Sequence, residues 1–150
     1  MNIRTATKDD LPGIMEIEQA SFDMSEVFPE TQFLHYLHRF ADSFFVAEDS
    51  SDSIVGYAIL TCAPSFGYIL SIAVHPKNRN QGVAKELLEI LESKCREKGI
   101  AKLRLDVRIN NDSAIGLYKN LGLEEQKVKK NFYGKGLDGL LMEKKVKPLI

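Results

Sequence analysis

The residues from Arg79 to Ala84 form a loop whose chemistry suits a phosphate group. A β-rich segment, Tyr68–Val74, runs into this loop, and an amphipathic helix follows it, with apolar residues at every fourth position from Val83 to Cys95. The first turn of a helix presents unpaired N–H groups and a partial positive charge, which together attract anions. Gly82 lets the backbone approach such an anion closely. An ordinary strand-to-helix loop remains the alternative, because so short a pattern also arises by chance.

The composition of the chain excludes several other classes of protein. It has 150 residues, 20 basic and 21 acidic, and a formal net charge of −1, which gives nucleic-acid binding no electrostatic support. The two cysteines, Cys62 and Cys95, form no CxxC pair and indicate neither a metal site nor a disulfide framework. The sequence has no apolar stretch long enough for a signal peptide or a membrane span. We therefore expect a cytoplasmic protein that binds neither membrane nor metal.

The spacing of apolar residues predicts the strands and helices that position this loop. Short strands are expected at the N-terminus and on both sides of the polar turn 48–53, and two helices are expected between them, the first capped by Thr7. The strand, loop and helix described above come next, and Gly99 should end that helix. A strand at 103–107, a short helix at 112–121 and two late strands complete the chain. This order predicts a single α+β (mixed α/β) domain, residues 1–150, with helices on the faces of a central sheet.

Two blocks of sequence resemble the GCN5-related N-acetyltransferase (GNAT) family. Residues Gly67–Pro76, Arg79–Ala84 and the following Leu87-Leu88 resemble the core motif of that family, and Leu105–Leu123 resembles its next motif at the usual distance. The match is closest to the RimI-like ribosomal-protein and archaeal N-terminal acetyltransferases, and it extends from Thr5 to about Val146. The resemblance implies a mostly antiparallel sheet of six to seven strands, splayed near Ile72-Ala73-Val74, with about four helices.

The resemblance also implies the cofactor acetyl-coenzyme A and the residues that hold it. Strand N–H and C=O groups would bond the pantetheine arm, and backbone amides of the loop would bond the pyrophosphate. Asn111 and Tyr118 would lie beside the pantetheine and the thioester. The implied cofactor-binding residues are Ile72, Ala73, Val74, Arg79, Asn80, Gln81, Gly82, Val83, Ala84, Lys85, Asn111 and Tyr118.

Three residues are candidates for proton transfer in a direct attack by an amine on the thioester. Tyr118 matches the general acid of the family, since a phenol with a pKa of about 10 can protonate a thiolate; the alternative is a core aromatic. Asp106 stands where RimI-like enzymes carry a glutamate base, and the alternative is a strand carboxylate neutralised by Arg104 or Arg108. Tyr68 matches a tyrosine that some eukaryotic relatives use to relay a proton through water, or it is a wall residue.

The acceptor is expected to be the N-terminal amine of a protein or peptide. Residues Asn131–Met142 resemble the segment whose tyrosines line the groove for a protein N-terminus, and Tyr133 and Asp138 retain the family pattern. Phe132, Leu137 and Gly139 depart from it, which leaves the accepted first residue open. The expected substrate-binding residues are Phe22, Phe28, Tyr68, Tyr133 and Asp138.

Other functions stay open at this stage. A lysine or a small-molecule amine is the alternative acceptor, and acidic residues in a groove would favour it. A non-catalytic acyl-CoA-binding module is the alternative from another class, because aspartate replaces the family glutamate at position 106.

Overall fold

The computed structural model describes residues 1–21 and 27–147 of the chain. Seven β-strands and four α-helices lie in these two ranges, with short 3-10 turns at Lys8–Asp10 and Pro76–Asn78. Within the same ranges, no helix is both long enough and apolar enough to cross a membrane. The strands are β1 (Asn2–Thr5), β2 (Phe44–Glu48), β3 (Ile54–Cys62), β4 (Gly67–Val74), β5 (Lys102–Arg108), β6 (Glu124–Lys129) and β7 (Gly139–Lys145), and the helices are α1 (Leu11–Ser21), α2 (Glu30–Arg39), α3 (Val83–Glu97) and α4 (Asp112–Asn120).

The seven strands form one sheet in the order β1-β2-β3-β4-β5-β7-β6. The pairs β1–β2, β2–β3, β5–β7 and β6–β7 are antiparallel, whereas β4 and β5 pair in parallel at Gly67–Leu103 and Tyr68–Arg104. Parallel neighbours require a long crossover connection, which here contains α3. The mixed α/β fold, the mostly antiparallel sheet and the number of strands and helices are therefore confirmed.

The first compact unit consists of Met1–Thr61 and Leu70–Leu91. Phe33 of α2 is fully buried in its core, and the centroid of its ring lies 5.5 Å from that of Tyr57 and 6.3 Å from that of Phe44. The apolar face of α1 is buried in this core. The core residues are Leu11, Ile14, Ile17, Phe33, Phe44, Val46, Tyr57, Ile59 and Ala73.

The start of α1 differs in detail from the expectation. Thr7 and Asp10 form a capping box, but the box opens a 3-10 turn, and the α-helix begins at Leu11. The Asp10 carboxylate accepts a hydrogen bond from the Thr7 N–H at 2.8 Å and two from Arg4 at 2.7 Å each. The bonds from Arg4 hold the pKa of Asp10 below its ordinary value. The tight turn thus ties the helix start to β1.

The second compact unit consists of Cys62–Ile69 and Glu92–Ile150. In it, β7 lies between β5 and β6, and Leu141 is opposite Asp106 on one side and Lys127 on the other. Lys144 of β7 donates to the Leu121 carbonyl at 2.9 Å and pairs with Glu92 at 2.8 Å. One ammonium group therefore fixes the C-terminus of α4 and the later turns of α3 to the strand.

Candidate functional site

The loop before α3 adopts the conformation that an anion site at a helix start requires. Asn80 and Gly82 have positive φ angles of 63° and 81°, so the chain turns sharply just before Val83 begins the helix. The Glu86 N–H bonds to the Gly82 carbonyl at 3.1 Å, which closes the first turn of α3. The amides of residues 83–85 precede this bond and have no acceptor within the helix. They form the donor set at the positive end of the helix dipole.

Contacts within the first unit fix this loop to the end of β4. Arg79 donates from Nε to the Val74 carbonyl at 3.3 Å, and the Ser21 hydroxyl donates to the same oxygen at 3.5 Å. The His75 N–H bonds to the Val55 carbonyl at 2.8 Å, and His75 Nδ1 accepts the Lys77 N–H at 3.2 Å. Arg79 therefore ties the loop to the last residue of β4.

Two glycines distinguish the packed side of α3 from its open side. A Cβ atom on Gly56 would lie 3.0 Å from Val83 Cγ1, 3.1 Å from Leu87 Cδ1 and 3.2 Å from the Ala73 carbonyl. Gly56 thus lets the first turns of α3 pack directly onto the strands. A Cβ atom on Gly82, by contrast, would have nothing within 4 Å. The backbone at Gly82 faces open space, as a pyrophosphate cradle requires.

A second group of residues lies in the second unit, where β4 meets β5. The Tyr68 hydroxyl donates to Asp106 Oδ2 in a short hydrogen bond, and Lys129 of β6 lies 3.2 Å from the same oxygen and 3.1 Å from Oδ1. The side chain of Asp106 is only 2% exposed. Its Oδ1 atom accepts no hydrogen bond from the described residues. The cluster is a buried carboxylate between a phenol and an ammonium group.

The two candidate tyrosines have raised pKa values. Burial raises the pKa of Tyr68 well above its ordinary value, and the hydrogen bond to Asp106 and the charge of that carboxylate act in the same direction. Burial alone raises the pKa of Tyr118 to about 12. Both phenols therefore remain protonated at neutral pH, and each can donate a hydrogen bond or a proton.

Helix α4 carries the other two residues of the second motif. Asn111 is the N-cap, and its Oδ1 accepts the Ala114 N–H at 3.1 Å. Tyr118 lies almost two turns further along α4. The capping bond sets where the helix begins and hence the direction in which Tyr118 projects. Asn111 therefore has a structural task that the capping preference of asparagine could have indicated from the sequence alone.

The connection between β6 and β7 is closed by its own hydrogen bonds. Asp138 Oδ1 accepts the Asn131 N–H at 2.9 Å, and Asn131 Oδ1 accepts the Gly136 N–H at 2.8 Å. Tyr133 is half-buried, and the guanidinium of Arg108 lies 5.2 Å from the centroid of its ring. A surface pocket at this connection is lined by Arg108, Ile109, Asn110, Gly136, Leu137 and Asp138.

Phe22 and Phe28 were expected to line the opposite wall of the groove. Phe22 lies outside the described residues. Phe28 packs edge-on against Phe33 at 5.9 Å and Tyr36 at 6.1 Å, so its ring belongs to the aromatic layer on the first core. Its N–H donates at 2.8 Å to Glu18, a carboxylate that is only 1% exposed.

Glu18 belongs to a buried polar chain in the first unit. It accepts a short hydrogen bond from the Tyr57 hydroxyl, which lies 2.8 Å from the hydroxyl of Ser71 on β4. Burial raises the pKa of Glu18 above its ordinary value, against the opposing effect of the bonds from Tyr57 and Phe28. Glu18 lies on the buried face of α1, and no local spacing in the sequence indicates these partners.

The cation found beside Asp106 is one that the sequence did not suggest. The sequence offered Arg104 and Arg108, two residues away on the same strand face, as its neutralising partners. Arg104 instead pairs with Glu143 at 2.6 Å, because β7 places that carboxylate directly opposite. Lys129 pairs with Asp106 at 3.1 Å. Its distance of 23 residues along the chain gives no spacing signal that would have found it.

Comparisons with known proteins identify the family of the chain. The model of the Acetyltransferase (GNAT) family matches residues 11–123. The chain is 32% identical to a protein of Saccharolobus solfataricus named N-alpha-acetyltransferase, over 93% of this chain and 90% of that one. It is 33% identical to the [ribosomal protein bS18]-alanine N-acetyltransferase of Escherichia coli, over 83% and 81%. The crystal structure of Ard1 from Thermoplasma volcanium matches with a TM-score of 0.88 and 28% identity, over 97% of both chains.

Proposed function

Since this chain belongs to the acetyltransferase (GNAT) family, whose acyl donor is acetyl-coenzyme A, we propose that it acetylates the N-terminal α-amine of a protein or peptide in the cytoplasm. Relatives at 32–33% identity carry the names N-alpha-acetyltransferase and ribosomal-protein-alanine N-acetyltransferase, and they match over most of their length. The observation that carries the proposal is the buried cluster of Tyr68, Asp106 and Lys129.

The chemistry of this cluster favours an α-amine over a lysine side chain. Aspartate is a weak base as a residue type, with an ordinary pKa near 3.9. An α-amine has a pKa near 7.8 and a lysine side chain one near 10.4, so the neutral fractions at pH 7 differ by roughly 300-fold. An acceptor that is already partly neutral makes the smaller demand on such a base. The positive charge of Lys129 beside the carboxylate also disfavours a second ammonium there.

The loop before α3 fits the diphosphate of the cofactor. We assign the amides of residues 80–85 to the pyrophosphate, because Gly82 leaves open space and α3 begins with unpaired N–H groups. Ile72, Ala73 and Val74 of β4 are assigned to the pantetheine arm. The cofactor supplies the acetyl group as an activated thioester, and the loop supplies its binding and orientation.

Proton movement falls to three side chains of the second unit. Tyr118 is assigned as the proton donor to the departing thiolate, because its phenol is protonated at neutral pH. Asp106 and Tyr68 form the hydrogen-bonded pair assigned to the proton released by the acceptor amine. Tyr133 and Asp138 are assigned to the acceptor peptide, Tyr133 by contact and Asp138 by shaping its loop.

Peptide acetylation followed by mass spectrometry tests this function. The purified chain is incubated with acetyl-coenzyme A and short peptides that have free or blocked α-amines and an internal lysine. We expect label on the free α-amine alone. Equal labelling of the blocked peptides would assign the enzyme to lysine, and binding of the cofactor without transfer to any amine would make it a binding module.

A pair of tyrosine variants tests the assigned proton donor. Tyr118→Phe should lower kcat by about a hundredfold or more, the range of a lost general acid, with little change in the KM for acetyl-coenzyme A. Tyr36→Phe removes the same oxygen atom from α2 and should leave both constants unchanged. A Tyr118→Phe variant with the wild-type kcat would refute the role of that phenol.

A further inference from the structure

Lys129 and Asp106 form a partly buried ion pair in the second unit. The ammonium lies within 3.2 Å of both carboxylate oxygens, and the two side chains are 29% and 2% exposed. An exposed ion pair contributes little, but removal of the cation from a buried carboxylate leaves a charge that burial strongly disfavours. The geometry of Asp106 therefore depends on Lys129.

The two arginines next to Asp106 on β5 contact other groups as well. Arg104 bonds to Glu143 at 2.6 Å, and its guanidinium lies 4.5 Å from the centroid of the Phe66 ring. Arg108 stacks on Tyr133 at 5.2 Å. In the described part of the chain, the charged and titratable groups near Asp106 include Tyr68, Arg104, Arg108, Lys129, Glu143 and Tyr133.

Lys129 is itself held in place by its surroundings. Its ammonium lies 4.8 Å from the centroid of the Phe132 ring, a cation–π contact that restricts the long side chain. Its strand neighbour on β7 is Gly139, which is buried and has Phe132 directly against it. Gly139 is also opposite Arg108 on β5, so β7 carries no side chain between Lys129 and Arg108, and Leu141 is the residue opposite Asp106.

We propose that Lys129 is a positioning residue for acetyl transfer, which keeps Asp106 in the carboxylate form that accepts the hydrogen bond of Tyr68. Without the ammonium group, the buried carboxylate takes up a proton more readily. A protonated Asp106 donates a hydrogen bond instead of accepting one, and Tyr68 then loses the partner that orients it. This role rests on the proposed function, since it acts through the pair assigned to the proton of the acceptor amine.

The first test follows the carboxylate itself and needs no turnover. The midpoint of the Asp106 carboxyl titration is measured by carbon-13 NMR in the wild type, in Lys129→Met and in Lys127→Met. Lys127 is an exposed lysine on the same strand and serves as the matched control. We expect the midpoint to move to higher pH in Lys129→Met alone. An unmoved midpoint overturns the proposal, whether or not the chain acetylates N-termini.

The second test measures kcat/KM on whichever amine the wild type acetylates. Lys129→Met should lower kcat/KM about tenfold and move the acid limb of its pH profile upward, Lys129→Arg should restore most of the loss, and Lys127→Met should match the wild type. Adding Lys129→Met to an Asp106→Asn variant should change kcat/KM by less than about threefold, because coupled residues are non-additive. A full tenfold loss in the Asp106→Asn background, or a shifted titration with unchanged kcat/KM, overturns the proposal.

Discussion

Replacement of Gly82 by alanine tests two effects separately: the conformational strain in the loop and the binding of the pyrophosphate by the loop. The φ angle of Gly82 is +81°, and an added Cβ atom would have nothing within 4 Å. The substitution therefore causes no clash in the free protein. An L-residue in the left-handed region costs about 1–2 kcal/mol. Each kcal/mol lowers Tm by about 2–4 °C in a domain of this size.

Gly99 provides a matched control at the other end of α3. Its φ angle is +70°, and an added Cβ atom there would also meet nothing within 4 Å. Gly99→Ala should therefore lower Tm by a similar amount. It lies beyond the last turn of the helix, where carbonyl groups rather than N–H groups are unpaired, so it offers no donors to a phosphate.

The two variants should differ in their dependence on acetyl-coenzyme A. The methyl group of Gly82→Ala occupies the space through which the amides of residues 83–85 reach a phosphate. We expect the KM for acetyl-coenzyme A to rise about tenfold, which corresponds to about 1.4 kcal/mol of lost binding, with kcat nearly unchanged. Steady-state kinetics and thermal unfolding of both variants measure the two effects. Equal KM values for Gly82→Ala and Gly99→Ala would refute the assignment of the pyrophosphate to this loop.

Two further predictions concern stability. Burial raises the pKa of Glu18 in the folded state, so above a pH of about 4 the folded state still holds a proton that the unfolded state has lost. The free energy of unfolding therefore falls as the pH rises from the unfolded pKa to the folded pKa. Urea unfolding should show that Glu18→Gln is increasingly more stable than the wild type from a pH of about 4 until Glu18 is ionised in both states, and a difference that is constant with pH would contradict this. Lys144→Met leaves Glu92 and the Leu121 carbonyl without their shared donor, so it should lower the free energy of unfolding by about 1–3 kcal/mol. Lys145 is exposed, and Lys145→Met should change that free energy little. Equal losses in the two variants would count against the role of the Lys144 ammonium group.

Local patterns in the sequence were sufficient for the elements of the fold. The fourfold apolar spacing of α3 and the glycine at position 99 predicted a helix and its end, and both are present. The strand expected at 103–107 is also present, as β5, and every second residue in it is buried. Such signals act between residues that are close in sequence, where the period of the backbone alone decides which side chains share a face.

The partners of the charged groups could not be predicted in the same way. Lys129 lies on β6 and Asp106 on β5, and the two strands come close because both pair with β7. Arg104 pairs with Glu143 through the register of β5 against β7. A shift of one residue in that register would move every side chain of the strand to the other face. Strand order and register therefore decide these ion pairs, and neither can be predicted from the spacing of nearby residues.

The hairpin of β6 and β7 also bears on how this enzyme can be altered. Its tip is shaped by hydrogen bonds between its own residues, from Asn131 to Asp138, and it carries Lys129 and Tyr133 only four positions apart. A transplanted hairpin would therefore bring its own tip geometry with it. It would transfer the residues assigned to the acceptor and the counter-charge of Asp106 as one inherited piece. An exchange of this hairpin that changes the accepted substrate should therefore also change the surroundings of Asp106 on β5.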